Sequence, residues 1–366
     1  MKVLHIMNKL LPSGAEVMLE KAAQIWDAEK MTIMSTTLEI GPFAEELERV
    51  GYSIVHIYDR SKLHQWYKIL KYIKNEKFDA VHIHRESQSY IYATICKLAG
   101  IKSIVRTVHN VFLLNGIKRL REILTRRYEK ILGVKYISIS KSVYEHELSR
   151  FYNKTEIINN WYDMRKFQYV NEIKKKEARK KIGLNENTMC IVSVGNCSPI
   201  KNHQLVIKAL GQIIPQLQGI CDVKYFHIGY GQEELDERRM AEKLGIKDKI
   251  QFCGFTDPYE YLKAADVFVM PSVFEGVGIS ALEALAMGIP SILTDVYGLK
   301  DFKELNSDSV QFVQLTVDSV KDALLNCVKE FTRGLLKNDL NLANKVAKEY
   351  NMKSSIENYN KKYQIK

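Results

Sequence analysis

Short apolar runs alternate with helix-like stretches along most of this 366-residue chain, and this alternation limits the fold more than any other feature. Parallel strands that are buried on both faces have such a continuous apolar composition, and the helices between them form the crossover connections. The pattern therefore predicts an α/β fold with parallel sheets. In the first half of the chain, the predicted strands cover residues 3–7, 31–34, 53–57, 80–83, 103–108 and 136–139.

A second series of predicted strands covers residues 190–195, 223–228, 250–252, 267–270 and 291–294. A basic segment, residues 174–181, lies between the two series and ends near Gly183, which is typical of a solvated helix with a glycine cap. Because a chain of this length usually forms two domains, each series is assigned to one of them. We predict an N-terminal Rossmann-like domain over residues 1–167, a C-terminal one over 168–345, and a helix over 346–366 that packs back towards the N-terminal domain.

The composition narrows the class of protein. No segment has the roughly 20 consecutive apolar residues that a membrane-spanning helix needs. The six cysteines are scattered singly, without the paired spacing of a metal site, and favour reduced thiols in a cytoplasmic protein. The net charge of +11 suits an anionic membrane face or a polyanionic substrate. Nucleic acid is disfavoured as a partner, because no finger, basic zipper or RNP-type motif is present.

The clearest candidate site follows the fourth strand of the second series. Glu275 lies there in a loop with two glycines, and Glu283 lies in the next predicted helix. The backbone N–H groups of Gly276, Val277 and Gly278 are expected at the N-terminus of that helix, where a diphosphate would bind. A carboxylate can accept two hydrogen bonds from vicinal sugar hydroxyls. On spacing alone, however, an ordinary helix with exposed glutamates is the better interpretation.

The segment from Glu275 to Glu283 resembles the E-x7-E motif of GT-B glycosyltransferases in the retaining family 4. Other elements of that family's second domain follow the same order: a glycine turn ending at Gly195 with its phosphate-binding Lys201, and the segments 226–231, 252–254 and 286–290. The resemblance implies a GT-B fold, in which two Rossmann-like domains face a cleft. It also implies that the chain transfers a sugar from a nucleoside diphosphate.

The resemblance assigns roles to individual residues of the second domain. It implies that Lys201 contacts the donor diphosphate, that Glu283 binds the ribose hydroxyls and that Glu275 lies beside the transferred sugar. The turn residues Gly195 and Asn196 are expected to contact the donor as well. The family commonly has arginine where this chain has Asn196, so one expected cation of the diphosphate site is missing.

In the first half of the chain the resemblance is looser. Residues 13–16, Ser-Gly-Ala-Glu, resemble the family's G-G-A-E loop and imply that Gly14 lies near the donor, although a strand-to-helix turn that needs only Gly14 explains part of the match. His84 and His109 each follow a strand, where a lone histidine is more often structural than catalytic. Since His109 matches the family's active-site histidine, we favour it over His84. Trp161 replaces a glycine in the family's interdomain turn.

Residues 116–132 form a basic amphipathic stretch that the fold does not require. Two interpretations remain open: the apolar stripe packs on the sheet of the first domain, or the stretch lies on an anionic membrane. The apolar stripe consists of Ile117, Leu120, Leu124, Tyr128 and Ile131. The cations around it are Lys118, Arg119, Arg121, Arg126, Arg127 and Lys130.

These observations lead to one prediction of function with two alternatives. We predict a cytoplasmic glycosyltransferase of bacterial polysaccharide biosynthesis, peripheral to the inner face of the membrane, which acts on a saccharide or polyprenyl-linked acceptor. The family resemblance implies that the transfer retains the configuration at the anomeric carbon. A UDP-sugar is expected as donor rather than a GDP-sugar, and neither a metal nor another cofactor is expected because no D-x-D motif lies at a matching place. A sugar-nucleotide epimerase or phosphorylase of the same fold, or a non-catalytic binding subunit, are the alternatives.

Overall fold

The computed structural model describes residues 1–364, and the chain forms two compact units in it. The first unit comprises Met1–Tyr162 together with the chain from Met352 onward, and the second comprises Asp163–Asn351. The chain therefore passes from one unit to the other after Tyr162 and returns after Asn351. The sequence placed these two boundaries after residues 167 and 345, a few residues away in each case.

Within the described residues, the first unit contains a parallel sheet of seven strands. The strands are β1 (Val3–Met7), β2 (Met31–Ser35), β3 (Ser53–His56), β4 (Ala80–Ile83), β5 (Ser103–Val108), β6 (Lys135–Ser138) and β7 (Glu156–Ile157). Their order across the sheet is β3-β2-β1-β4-β5-β6-β7. The order reverses between β1 and β4, which are neighbours in register from Val3 opposite Ala80 to Ile6 opposite Ile83. The connections contain the helices α1 (Gly14–Ala22), α2 (Ala44–Arg49), α3 (Lys62–Glu76), α4 (Ser89–Leu98), α5 (Gly116–Ile131) and α6 (Lys141–Phe151).

The second unit contains a six-stranded parallel sheet in the same described range of the chain. Its strands are β8 (Thr188–Val194), β9 (Asp222–Ile228), β10 (Ile250–Gly254), β11 (Val267–Met270), β12 (Ser291–Thr294) and β13 (Val310–Val313). They lie in the order β10-β9-β8-β11-β12-β13, which reverses between β8 and β11. The helices are α7 (Glu172–Lys181), α8 (Gln204–Ile213), α9 (Glu234–Lys243), α10 (Tyr259–Ala264), α11 (Ile279–Ala286), α12 (Val317–Thr332) and α13 (Leu340–Glu349).

The last described helix, α14 (Met352–Tyr363), packs on the first unit. The Tyr363 hydroxyl lies 2.7 Å from Nδ1 of His82, and the Tyr359 hydroxyl lies 3.2 Å from Oγ1 of Thr107. The indole of Trp26 donates a hydrogen bond to Oδ1 of Asn360 at 2.9 Å. These contacts attach α14 to strands β4 and β5 and to the region after α1.

Helix α5 contacts the first unit through charged residues, so the packed interpretation of its apolar stripe is wrong. The stripe is exposed, with 86% of Ile117 and 82% of Ile131 accessible to solvent. On the opposite side, Arg126 is buried and forms ion pairs with Glu147 and Glu122, each at 2.8 Å. Because buried charges need partners, this network determines which face of the helix turns inward.

The basic helix α7 also differs from its prediction as a solvated helix. Two of its cations are buried: Nζ of Lys175 lies 2.7 Å from Oδ1 of Asp266, and Nη1 of Arg179 lies 2.9 Å from Oδ2 of the same residue. Its predicted glycine cap is present, since Gly183 adopts a positive φ of 68° just after the helix. The remaining cations of the helix are exposed.

Candidate active site

The candidate donor site lies at the reversal of strand order in the second unit. Loops that leave β8 and β11 run to opposite faces of the sheet, and open α/β sheets bind ligands beyond the carboxyl ends of such strands. Two hydrogen bonds, one between backbone groups and one from a side chain, connect these two loops directly. The amide of Val273 donates to the carbonyl of Ile200 at 2.8 Å, and Nδ2 of Asn202 donates to the carbonyl of Pro271 at 3.3 Å.

An ion pair between these loops brings together two of the predicted residues. Nζ of Lys201, after β8, lies 2.6 Å from Oε1 of Glu275, after β11. The hydroxyl of Ser272 donates to the same carboxylate oxygen at 2.7 Å, and the amide of Glu275 donates to the carbonyl of Tyr297 at 2.9 Å. Both side chains of the pair are only partly exposed, at 23% and 12%. The arrangement holds a cation and a carboxylate side by side, which suits a ligand that carries both phosphate and hydroxyl groups.

Two glycines allow the backbone to pack closely around this pair. A Cβ atom on Gly229 would lie 1.8 Å from the carbonyl oxygen of Gly195, so no other residue fits there without a shift of the backbone. Gly278 has a φ of 78° and precedes α11. The first turn of that helix is held against β8, because the hydroxyl of Ser280 donates to the carbonyl of Val194 at 2.9 Å.

The other predicted donor residues lie along the same two loops. Gly276, Val277 and Gly278 are buried and lead directly into α11, while Glu283 lies in the second turn of that helix and is partly exposed. Asn196 is exposed, and its side-chain oxygen accepts a hydrogen bond from the hydroxyl of Ser198 at 3.3 Å.

In the first unit, three histidine side chains form a hydrogen-bonded row at the place where the strand order reverses. Nδ1 of His5 lies 2.9 Å from Nε2 of His84, and Nδ1 of His84 lies 2.9 Å from Nε2 of His109. These residues belong to β1 and to the ends of β4 and β5, which are neighbouring strands. The sequence analysis chose His109 over His84, and the structure places them in direct contact.

Burial keeps these imidazoles neutral at physiological pH. It lowers the pKa of His5 to about 3 and that of His109 to about 4, although Glu86 opposes part of the shift at His109. A neutral imidazole has one donor and one acceptor nitrogen. In a chain of two hydrogen bonds the donors must therefore all point the same way, so the tautomer of His109 depends on those of His84 and His5.

Sequence reasoning missed two members of this cluster, His5 and His82. The ring of His82 is hydrogen-bonded on both sides, to the hydroxyls of Tyr363 and Thr107, each at 2.7 Å. Each histidine looks like a single polar residue inside an apolar strand. The spacing of His82 and His84 could have indicated a cluster, because residues two apart on a strand share one face.

Gly14, the remaining predicted donor residue, is the first residue of α1. The serine before it, Ser13, hydrogen-bonds through its hydroxyl to the carboxylate of Glu16 within the first turn. The S-G-A-E segment therefore forms the start of a helix after β1, at the reversal of strand order in the first unit.

Comparisons with known proteins agree with this architecture. The family model described as glycosyl transferases group 1 matches residues 174–330, and the model of glycosyltransferase family 4 matches residues 13–166. UDP-Gal:alpha-D-GlcNAc-diphosphoundecaprenol alpha-1,3-galactosyltransferase of Escherichia coli is 28% identical over 95% of either chain. The capsular polysaccharide biosynthesis glycosyltransferase CapH of Staphylococcus aureus is 23% identical over 77% of this chain and 78% of its own. The crystal structure of Anabaena Alr3699/HepE in complex with UDP matches with a TM-score of 0.81 and 17% identity over 99% of both chains.

The fold and these matches define a glycosyltransferase with the GT-B fold. Within that class, the chain belongs to glycosyltransferase family 4. The predictions of fold class, family and enzyme type are thereby confirmed, and the epimerase, phosphorylase and binding-subunit alternatives gain no support. Both relatives are named as glycosyltransferases, one for a diphosphoundecaprenol-linked substrate and one for capsular polysaccharide biosynthesis, in agreement with the prediction of a glycosyltransferase of bacterial polysaccharide synthesis. Within residues 1–364, no helix combines the length and apolarity that crossing a bilayer requires.

Proposed function

We propose that the second unit binds a UDP-sugar and that the enzyme transfers the sugar, with retention of anomeric configuration, to a lipid-linked saccharide. The observation that carries this proposal is the Lys201–Glu275 ion pair, at 2.6 Å, between the two loops at the reversal of strand order. Two names support the choice of substrates. The Anabaena structure contains UDP, and the Escherichia coli relative is named for UDP-galactose and a diphosphoundecaprenol-linked acceptor.

In this proposal the residues of the pair separate when the donor binds. Lys201 moves from Glu275 to the diphosphate and stabilises the negative charge that develops on the leaving UDP. Glu275 is then free to accept hydrogen bonds from hydroxyls of the transferred sugar, and Glu283 accepts those of the ribose. Gly14, Gly195, Asn196 and the N-terminus of α11, residues 276–278, contact the donor through the backbone or short side chains. His109, held by His84, lies beside the reacting sugar.

We propose further that the transfer itself requires no divalent metal. A metal commonly neutralises the leaving diphosphate in other glycosyltransferases, and here Lys201 and the positive end of α11 would take that role. The expected arginine is replaced by Asn196, so Lys201 carries a larger share of this neutralisation. The prediction is that added Mg²⁺ or Mn²⁺ leaves the transfer rate unchanged.

A thermal-shift screen of nucleoside diphosphates and their sugars tests the donor site. UDP and one UDP-sugar should raise the melting temperature, because a ligand at 100 times its dissociation constant stabilises a protein by about 2.7 kcal/mol. Stabilisation by GDP but not by UDP would refute the proposed base. Glu275→Ala should remove the additional effect of the sugar and retain most of the effect of UDP.

Transfer and its stereochemistry are tested with a synthetic acceptor, N-acetylglucosamine linked through a diphosphate to a polyprenyl chain. UDP release should depend on this acceptor, and NMR of the product should show the α configuration of the donor sugar retained. A β-linked product would contradict retention. Equal UDP release with water alone would contradict the assignment of a lipid-linked acceptor.

We also propose that the enzyme docks on the anionic cytoplasmic face of the membrane through helix α5 and its neighbours. The exposed stripe of α5 continues onto α3 and α4, where Leu63, Tyr67, Tyr90 and Leu98 are exposed as well. Exposed lysines and arginines surround these apolar side chains; on α5 they are Lys118, Arg121, Arg127 and Lys130. A partly apolar surface bordered by cations is complementary to anionic lipid headgroups above acyl chains.

Sedimentation with vesicles tests this docking surface. The protein should bind vesicles that contain phosphatidylglycerol and not vesicles of phosphatidylcholine alone. Arg121→Glu with Arg127→Glu should weaken binding by roughly 30-fold or more, since each cation at the surface contributes about 1 kcal/mol. Charge reversal of two exposed cations in the second unit, Lys208 and Arg239, is the matched control. Equal losses of vesicle binding in both double variants would mean that only net charge matters, and would refute the proposed docking surface.

A further inference from the structure

A cluster of metal-binding residue types lies inside the second unit and has no part in the proposed transfer. It consists of Cys197 in the loop after β8, His227 in β9 and Glu237 in α9. All three side chains are completely buried. One ligand atom from each residue lies within 4.8 Å of the corresponding atoms of the other two.

Most polar atoms of this cluster lack hydrogen-bond partners among the described residues; the exception is Nε2 of His227, which lies 3.3 Å from the carbonyl oxygen of Gly195. Both carboxylate oxygens of Glu237, Nδ1 of His227 and both ring nitrogens of the adjacent His203 are buried without one. Oε2 of Glu237 lies 3.4 Å from Nδ1 of His227, and Sγ of Cys197 lies 4.0 Å from the other nitrogen of that ring, Nε2. Buried polar groups are nearly always satisfied, because leaving one unpaired costs about 1–3 kcal/mol. Five such atoms in one place make this cluster a candidate site for a bound ligand.

We propose that Cys197, His227 and Glu237 bind a zinc ion. Thiolate, imidazole and carboxylate are the three ligand types that zinc takes in proteins, and this mixture of soft and hard donors does not suit Mg²⁺ or Ca²⁺. The charges also balance: the thiol proton is released on binding, and one thiolate with one carboxylate neutralises Zn²⁺. A neutral complex can be buried at far lower cost than an uncompensated ion.

A water molecule would be the fourth ligand of a tetrahedral site, because the group of mutually close ligand atoms does not include the adjacent His203. The ring centroid of His203 lies 4.0 Å from that of His227, and the His203 side chain is buried. In a tetrahedral zinc site with ordinary bond lengths, nitrogen and oxygen ligands lie about 3.4 Å apart. The separation of 3.4 Å between Glu237 and His227 agrees with that value. Cys197 and His203 both belong to the segment that precedes α8 and contains Lys201.

A zinc ion here would fasten the loop of Lys201 to the rest of the second unit. The backbone of Cys197 already bonds to the loop after β9, donating to Tyr230 at 3.1 Å and accepting from Glu233 at 3.2 Å. Zinc would add coordinate bonds from this loop to β9 and α9. The site is thus structural, and only its benefit to donor binding depends on the proposed function.

Metal content and cobalt substitution test the site in the intact chain. Protein purified without chelator should contain one equivalent of zinc per chain. After removal of the zinc, added Co²⁺ should give d–d bands of tetrahedral intensity and a thiolate charge-transfer band. Absence of zinc, together with no cobalt spectrum and no rise of the melting temperature on adding Zn²⁺, would overturn the proposal.

Variants identify the ligands. Cys197→Ser should abolish the thiolate charge-transfer band, and Glu237→Gln should weaken zinc binding at least tenfold. Cys221→Ser, which changes a half-buried cysteine at the other end of β9, is the control and should retain the full spectrum. An unchanged cobalt spectrum in Cys197→Ser would refute the assignment. If zinc binds as expected and UDP does not, the proposed function fails and the metal site stands.

Discussion

The two sheets reverse their strand order in the same way, yet they place different chemistry at that point. In the second unit, the loops after β8 and β11 carry glycines and the partly exposed pair Lys201 and Glu275. In the first, the ends of β1, β4 and β5 carry the neutral histidines His5, His84 and His109. The same topology therefore places a paired cation and carboxylate in one unit and uncharged polar side chains in the other, because side chains and not the fold decide the chemistry.

A buried network of charged residues in the first unit differs in its surroundings from the Lys201–Glu275 pair. Arg106 and Arg126 are buried and both bind Glu86, at 2.7 and 2.9 Å. Burial opposes ionisation of Glu86, but the two guanidinium groups hold the pKa of its carboxyl below its ordinary value. These charges form ion pairs with one another and hold α5 and α6 to the sheet. We therefore expect the buried charges around Glu86 to be structural and the partly exposed Lys201–Glu275 pair to be functional.

Removing Arg126 should give the largest effect on stability. Arg126→Met leaves Glu147 buried without its main partner, and breaking a buried pair in this way typically costs about 3–5 kcal/mol. Arg127→Met, at the exposed neighbouring position, is the control and should change stability by less than about 0.5 kcal/mol. Urea denaturation measures both values. Similar small changes in the two variants would mean that the network does not hold α5.

Removing Lys201 should affect activity and leave stability nearly unchanged. Lys201→Met is expected to lower the rate of transfer by about 10²–10³-fold, the usual loss when one preorganised charge at a reacting group is deleted. The stabilisation by UDP in thermal shift should fall with it. Lys208→Met, an exposed lysine on α8, serves as control and should retain full activity. A variant at position 201 that unfolds as easily as Arg126→Met would contradict the distinction between the structural charges around Glu86 and the Lys201–Glu275 pair.

The sequence predicted the central strands well and one helix badly, and both outcomes have physical causes. Strands β4, β5, β11 and β12 have the predicted bounds, because a strand buried on both faces is a continuous apolar run. The short β7 and the half-polar β13 carry no such signal and were not predicted. For α5, the rule that the apolar stripe turns inward was overruled by the ion pairs of Arg126, whose partners on other elements the sequence does not reveal.

The candidate sites show the same division between local and long-range information. The Lys201–Glu275 contact follows from motifs on two loops that adjacent parallel strands bring together. The cluster of Cys197, His227 and Glu237 has no recognisable spacing, and only the packing of α9 on β9 and the loop after β8 assembles it. Ligands that lie far apart in sequence and singly in apolar segments cannot be identified from composition.

The glycine contact beneath the donor site provides a smaller test of the second unit. Gly229→Ala should cost about 1–3 kcal/mol and weaken UDP binding, because the new Cβ meets the carbonyl of Gly195. Gly219→Ala is a fitting control: its φ of 74° strains an alanine, but nothing lies within 4 Å of the added Cβ. It should lose about 1 kcal/mol of stability and no affinity for UDP. Equal UDP affinity in the two variants would show that the Gly229 contact does not shape the site.

The neutral histidines of the first unit should make the stability of the protein fall at acidic pH. His5 has a pKa of about 3 in the folded protein, below its ordinary value of 6.5, because burial disfavours the charged form. Between these values the unfolded chain binds the proton more readily, so stability is complete above pH 6.5 and falls as the pH drops. One such histidine loses about 2 kcal/mol between pH 7.5 and pH 5. His5→Leu should therefore reduce the pH dependence of the urea midpoint, whereas replacing the exposed His64 by leucine should not. An unchanged pH dependence in His5→Leu would mean that this site accepts a proton in the folded state, and the contrast between a neutral first site and a charged second one would fail.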